Sequence, residues 1–144
     1  MDRDFNGDGR ADILWRDSSG TVAIWLMSGS TVASSVVLGT VTTDWTIEGV
    51  ADFNGDARAD ILWRNTSGAV AIWLMNGTAI AATAVLGTVT TDWTIVSVGD
   101  INRDAKADIL WRHTSGALAI WYMNGTSVTG TALPGGAGTS WQIQ

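Results

Sequence analysis

Asp52-Phe53-Asn54-Gly55-Asp56-Ala57-Arg58-Ala59-Asp60-Ile61-Leu62-Trp63-Arg64 is the stretch from which the fold is read. A near-copy lies 48 residues earlier, Asp4-Phe5-Asn6-Gly7-Asp8-Gly9-Arg10-Ala11-Asp12-Ile13-Leu14-Trp15-Arg16. Another lies 48 residues later, Asp100-Ile101-Asn102-Arg103-Asp104-Ala105-Lys106-Ala107-Asp108-Ile109-Leu110-Trp111-Arg112. All 9 tryptophans keep that period: Trp15, Trp63 and Trp111; Trp25, Trp73 and Trp121; Trp45, Trp93 and Trp141. Self-similarity at a fixed period marks a repeat architecture. Three units, about 4–51, 52–99 and 100–144, account for residues 1–144 and leave no linker or second domain.

Each unit reads as four short strands. In the middle of the chain, residues 59–64, 69–75 and 79–86 are strands, and 93–98 shows the style of the first strand of a unit. Asn65-Thr66-Ser67-Gly68 is a turn signal, and Asn76-Gly77-Thr78 a hairpin signal. The strand over 69–75 is apolar on both faces, so both faces must be covered. A radial stack of four-stranded blades does this, each sheet packing on its two neighbours. The expected fold is therefore all-β: propeller blades, three four-stranded blades per chain. A β-solenoid is the alternative, but its repeats are usually shorter. Helical repeats are disfavoured by the alternating Val, Ile, Thr and Trp.

The acidic segment opening each unit carries oxygen side chains at loop positions 1, 3, 5 and 9. These are Asp4, Asn6, Asp8 and Asp12; Asp52, Asn54, Asp56 and Asp60; Asp100, Asn102, Asp104 and Asp108. Calcium takes six to eight hard oxygen ligands, which such spacing suits. The position-7 carbonyl (Arg10, Arg58 or Lys106) would add another. Without metal, the same residues form an Asx turn that caps backbone amides. Ala57 and Ala105 replace Gly9 at position 6, at a steric cost if φ is positive there. An EF-hand is rejected, because Trp15, Trp63 and Trp111 stand where its bidentate Glu belongs and no flanking helices are expected.

The motif Asp-Phe-Asn-Gly-Asp-Gly-Arg-Ala-Asp-Ile-Leu-Trp-Arg resembles the blade motif of the FG-GAP and VCBS repeat family, which includes the integrin α-chain propeller and many bacterial surface proteins. The resemblance spans all three units. It implies a propeller with Ca2+ in the loop joining a blade's first two strands, the ligands being the twelve Asp and Asn residues above. It also implies adhesion, ligand binding or carbohydrate recognition, in a parent protein that is extracellular or on the cell surface. The departures are Ala57, Ala105 and Arg103, where the family pattern has glycine.

Bulk properties narrow the field. Hydrophobic residues make up 46% and charged residues 15%, which excludes a disordered chain. A formal charge of -6 disfavours nucleic acid, whose phosphates need clustered Lys and Arg. With no cysteine, disulfides and thiolate metal sites are ruled out. No apolar run of about 18 residues occurs, so no membrane-inserting helix is expected. Met1-Asp2-Arg3-Asp4 is acidic, and no signal peptide is expected in this sequence.

A propeller usually needs four to eight blades. Three leave an open arc with two apolar sheet faces, so a homo-oligomer is expected. Two chains make six blades and three make nine; six is favoured because nine-bladed rings are rare. Residues 139–144 are expected to supply the first strand of a neighbour's blade. Units one and two agree at 34 of 48 positions, which points to recent amplification, a fragment or a design. A structural or engineered repeat protein with no ligand beyond metal is therefore the alternative to a calcium-binding ligand or carbohydrate module.

Other residues read as structural. Trp25, Trp73 and Trp121 are expected in the core; Trp15, Trp63 and Trp111, each followed by Arg, are expected to be structural rather than a ligand site. Trp45, Trp93 and Trp141 are expected to be partly exposed. His113 replaces Asp17 and Asn65 in a turn and implies no catalysis. Asn65, Asn76 and Asn124 match glycosylation acceptors but read as ordinary turns. The serines form no Gly-x-Ser-x-Gly elbow. Recurrence of the carboxylates in every unit favours metal over an acid–base pair, so the chain is not expected to be an enzyme.

Overall fold

A computed structural model describes residues 3–144 and contains eleven strands and no helix in that span. They are β1 (Ile13–Arg16), β2 (Thr21–Ser28), β3 (Thr31–Thr40), β4 (Trp45–Ala51), β5 (Asp60–Asn65) and β6 (Ala69–Asn76). They continue with β7 (Ala79–Thr88), β8 (Trp93–Gly99), β9 (Asp108–His113), β10 (Ala117–Asn124) and β11 (Ser127–Gly136). No helix is long and apolar enough to cross a membrane.

The strands form three antiparallel sheets, ordered β1-β2-β3, β4-β5-β6-β7 and β8-β9-β10-β11. The expectation of three four-stranded blades holds for the second and third sheets. The first sheet has three strands, because nothing in the described residues pairs with the free edge of β1. The sheets are also out of phase with the sequence units: β4 belongs to the first unit and to the second sheet. Residues 41–44 and 89–92 therefore cross from the outermost strand of one sheet to the innermost strand of the next.

Local sequence explains the turns. The hairpins after β2, β6 and β10 are two-residue connections led by Gly29, Gly77 and Gly125, with φ of 64°, 64° and 63°. Glycine at the first central position suits a type II′ turn, which matches the strand twist.

Packing follows strand alternation. On β5 and β6, Ile61, Trp63, Ala71, Trp73 and Met75 face the first sheet, where Phe5, Val22 and Ile24 complete the cluster. The intervening Leu62, Val70, Ile72 and Leu74 face the third sheet with Phe53, Ile109, Trp111 and Met123. The second sheet is thus covered on both faces, as its apolar sequence requires. At the inner end β4 and β8 meet so closely that a Cβ on Gly49 would lie 2.8 Å from Val98 Cγ1. Sheets converging through their first strands are the arrangement of propeller blades, here unclosed.

Trp63 and Trp111 are fully buried, each about 5 Å from the half-buried Trp73 or Trp121. Trp25, Trp73 and Trp121, expected in the core, are half-buried, and at the two interior seams Trp63 and Trp111 take the deeper place. Trp45 and Trp93 are half-buried, as expected, and Trp141 is exposed.

Candidate metal-binding loops and the seams beside them

Each acidic loop is folded around its first aspartate. Asp4 Oδ1 accepts the N–H groups of Gly7 (2.8 Å) and Asp8 (3.1 Å), and its Oδ2 accepts that of Gly9 (2.8 Å). Asn6 Oδ1 accepts the Asp8 N–H at 3.1 Å, and Asp8 Oδ1 accepts that of Arg10 at 2.9 Å. That amide, more than the nearby Asn6 and Arg10 side chains, holds the Asp8 carboxyl below its usual range. Asp52 repeats the pattern with Gly55, Asp56 and Ala57; Asp100 does so with Asp104 and Ala105. The tight turn needs left-handed backbone at position 6, with φ of 84° at Gly9, 65° at Ala57 and 68° at Ala105. Arg103, at position 4 of the third loop, also has φ of 65°. The alanines and the arginine carry a cost of about 1–2 kcal/mol each that glycine avoids.

The position-9 aspartates sit differently. Asp12, Asp60 and Asp108 are buried, and both oxygens of each accept backbone amides. For Asp60 these are Phe53 N–H and Met75 N–H, both at 2.9 Å. Asp12 takes Phe5 and Met27, and Asp108 takes Ile101 and Met123. Each of these carboxylates therefore ties the start of its loop to the strand that carries the methionine, β2, β6 or β10. Burial pushes the Asp60 carboxyl up to about 6, the Met75 and Phe53 amides oppose this, and Asp56 and Asp52 add repulsion.

Among the described residues no three carboxylate or histidine side chains converge on one point. The position-9 carboxylates have turned inward to the amides, while positions 1, 3 and 5 stay at the rim. The donor types nonetheless fit calcium: each rim concentrates two carboxylates, an amide oxygen and a main-chain carbonyl, with a third carboxylate behind them. The cations beside them are Arg10 at 3.5 Å from Asp8, Arg58 at 3.8 Å from Asp56, and Arg3 and Lys106 at the cleft between the second and third loops. Adjacent loops are neighbours. Asp4 and Asp52 line one cleft of about 290 Å³ with Gly7, Ala57 and Arg58. Asp52 and Asp100 line another of about 430 Å³ with Lys106.

The arginines that follow Trp15 and Trp63 act as clamps at the seams. Arg16 Nη2 donates to the Val41 carbonyl at 2.9 Å, and its guanidinium lies 4.9 Å from the centre of the Trp63 ring. Arg64 holds the Val89, Thr90 and Trp93 carbonyls and lies 4.9 Å over Trp111. Two main-chain bonds complete each seam. Ala59 N–H donates to Asp4 O and Gly77 N–H to Phe5 O; Ala107 and Gly125 do the same with Asp52 and Phe53. Sequence reasoning had no signal for these inter-blade bonds beyond the invariant Trp-Arg pair.

Trp45, Trp63 and Trp73 line an open apolar cleft of about 350 Å³ with Val41, Ala71 and Val85. The Trp63 indole N–H is buried and has no acceptor among the described residues. His113 ends β9; its Nε2 meets Asp92 Oδ2 at 2.6 Å and its Nδ1 lies 2.8 Å from Ser115 Oγ. Asn65 makes the corresponding contact to Asp44 in the second sheet, at 3.1 Å, so the histidine fills a structural slot. Asn76 and Asn124 end β6 and β10 at hairpins, as expected.

The profile of the FG-GAP-like repeat family matches residues 4–63 and again residues 52–111. Each match runs from one acidic loop to the tryptophan following the next. Comparison with curated proteins finds no match, and comparison with solved structures finds none.

Proposed function

Because this chain belongs to the FG-GAP-like repeat family, we propose that it is a non-catalytic, calcium-binding propeller module that closes a ring with a second copy of itself. The completed ring binds a carbohydrate or protein ligand at an extracellular or cell-surface location. The observation that carries the calcium reading is the recurrence, in three loops of one conformation, of oxygen donors at positions 1, 3 and 5 around an undercompensated negative charge. Asp4, Asn6, Asp8 and the Arg10 carbonyl would hold the ion in the first loop, with Asp12, whose oxygens already accept amides, as the remaining donor. The equivalent sets are Asp52, Asn54, Asp56 and the Arg58 carbonyl with Asp60, then Asp100, Asn102, Asp104 and the Lys106 carbonyl with Asp108. The ion would supply charge neutralisation and loop rigidity rather than chemistry, since no substrate-activating group accompanies it.

The ligand reading draws on the tryptophan-lined cleft, whose size suits a small molecule and whose aromatic faces suit the apolar face of a sugar. The full capping of Asp4 and Asp52 by their own amides favours a second reading, a structural repeat whose loops need no metal. Isothermal titration with calcium after exhaustive chelation separates the two. Heat saturating at up to three ions per chain, lost in Asp8→Ala, Asp56→Ala and Asp104→Ala combined, supports calcium. No heat and no change in melting temperature at millimolar calcium removes it. A glycan array on the assembled protein tests the sugar reading, which fails if no glycan binds above background.

A further inference from the structure

Resting on the reading of the chain as part of a closed ring, we infer from the two interior seams which residues a second copy of this chain engages. Both seams use the same parts, and each part recurs unpartnered at one end of the arc. Phe5 and Phe53 are fully buried at the interior seams, whereas Ile101, their equivalent, is 43% exposed. Trp63 and Trp111 are 1% exposed, and their equivalent Trp15 is 46% exposed. Ala59 and Ala107 are buried but Ala11 is exposed; Met75 and Met123 are buried but Met27 is only half so. The outer face of the third sheet is the counterpart of the face that Leu62, Val70, Ile72 and Leu74 present to a neighbour: Leu110 and Leu118 are half-buried where Leu62 and Val70 are fully buried, and Ile120 is 8% exposed where Ile72 is 0%. What each end lacks, the other end supplies.

The interior bonds then give the outer ones by register. Ala11 N–H donates to the Asp100 carbonyl of the second copy, as Ala59 does to Asp4 and Ala107 to Asp52. Gly29 N–H donates to its Ile101 carbonyl, as Gly77 does to Phe5 and Gly125 to Phe53. Arg112, which already clamps the Gly138 carbonyl at 3.0 Å and the Trp141 carbonyl, lies over Trp15 of the second copy. Residues 141–144 repeat the sequence pattern of 45–48, and Trp141 and Ile143 are exposed where Trp45 and Ile47 are half-buried. Pairing of β4 with β5 sets Trp45 opposite Asn65 and Ile47 opposite Trp63. The free edge of β1 therefore takes Trp141 opposite Asp17 and Ile143 opposite Trp15.

One position departs from the template. Gly7 and Gly55 lie against Arg58 and Lys106, where an added Cβ would stand 3.5 and 3.4 Å from Cγ. Arg103 occupies that place in the third unit and so meets Arg10 of the second copy. A Cβ fits there in ordinary van der Waals contact, but two cations face each other, and the outer seam is weaker than the interior ones.

The test is a pair of blocked variants, Trp15→Asp and Ile101→Asp, each at an exposed position and checked for folding by circular dichroism. Wild type is expected at about 30 kDa by sedimentation equilibrium, two chains of 15.2 kDa. Each variant alone is expected to fall to one-chain mass, its dimer weakened about 30-fold or more, as for loss of a buried aromatic hot spot. An equimolar mixture regains a two-chain species through the one intact seam. Arg103→Gly is expected to tighten the dimer about two- to fivefold. Variants that stay dimeric while wild type is dimeric overturn this residue assignment but leave the ring reading. Loss of dimer in only one variant indicates like-face pairing and also overturns it. Wild type at one-chain mass overturns the ring reading itself, and the assignment with it.

Discussion

Asp60→Ala should destabilise the protein by about 2–4 kcal/mol, and by a route that has nothing to do with metal. The substitution leaves the Phe53 and Met75 amides without an acceptor. Both residues are buried, at 0% and 1% exposure, so water does not replace the carboxylate. Each orphaned amide costs about 1–3 kcal/mol. Removing the carboxylate also relieves its own burial, which already pushes its pKa up to about 6, and this holds the sum to the lower half of the range. Against a typical stability of about 5–15 kcal/mol the loss is large. Asp56→Ala is the control. Asp56 lies at the rim, accepts the local Arg58 amide and an Asn54 contact, and stands 3.8 Å from the partly exposed Arg58 guanidinium, so about 1 kcal/mol or less is expected without calcium. Urea unfolding in chelator, at one fixed protein concentration, reads both. With a slope of about 2 kcal/mol/M, Asp60→Ala moves the midpoint by about 1–2 M. An Asp60→Ala midpoint indistinguishable from wild type, or a larger loss for Asp56→Ala, would refute the assignment of position 9 as the anchor of the loop.

Other expectations follow from the same geometry. Ala57→Gly and Ala105→Gly should each stabilise by about 1 kcal/mol, because both positions have left-handed φ; calorimetric melting checks this. Gly68→Ala should cost more than about 2 kcal/mol, since its φ is 99° and the new Cβ would lie 2.2 Å from the Val89 carbonyl oxygen; failure to express folded protein, or a melting point lowered by many degrees, agrees with this. Calcium at a hundredfold over its dissociation constant should add about 2.7 kcal/mol per independent site to the melting stability, reversibly with chelator. Hydrogen bonds from Thr90, then His113, hold the Asp92 carboxyl below its usual range. Its stabilising contribution is present above the ordinary carboxylate pKa and is lost as pH falls through the lowered one. Asp92→Asn should therefore flatten the acid limb of the stability–pH curve below about pH 4.

The blade plan is legible because its determinants are local. The Asn76-Gly77-Thr78 turn, the double-sided apolar strand and the period of the tryptophans each act over a few residues, and the strands begin and end within about two residues of where those signals put them. The role of Asp60 was not legible in the same way. Spacing alone groups it with Asp52 and Asp56, and only the apolar Ala59 and Ile61 on either side hint that its carboxyl points into the core. The relative burial of Trp63 and Trp73 depends on which neighbouring sheet each faces, and strand alternation assigns faces without saying how deep a neighbour reaches. The arginine clamps were hidden for a related reason: their acceptors are carbonyls some 25 residues away on a crossover, and carbonyls leave no mark in a sequence.

The crossovers at 41–44 and 89–92 have a further consequence. A link of four residues keeps adjoining blades at an effective concentration in the millimolar range. A seam closed within one polypeptide therefore needs far less intrinsic affinity than a contact between free molecules. This explains how seams built from two main-chain bonds, a guanidinium over an indole and a modest apolar cluster can hold at any dilution. It also leaves the sequence free to drift within a seam so long as the tether stays short.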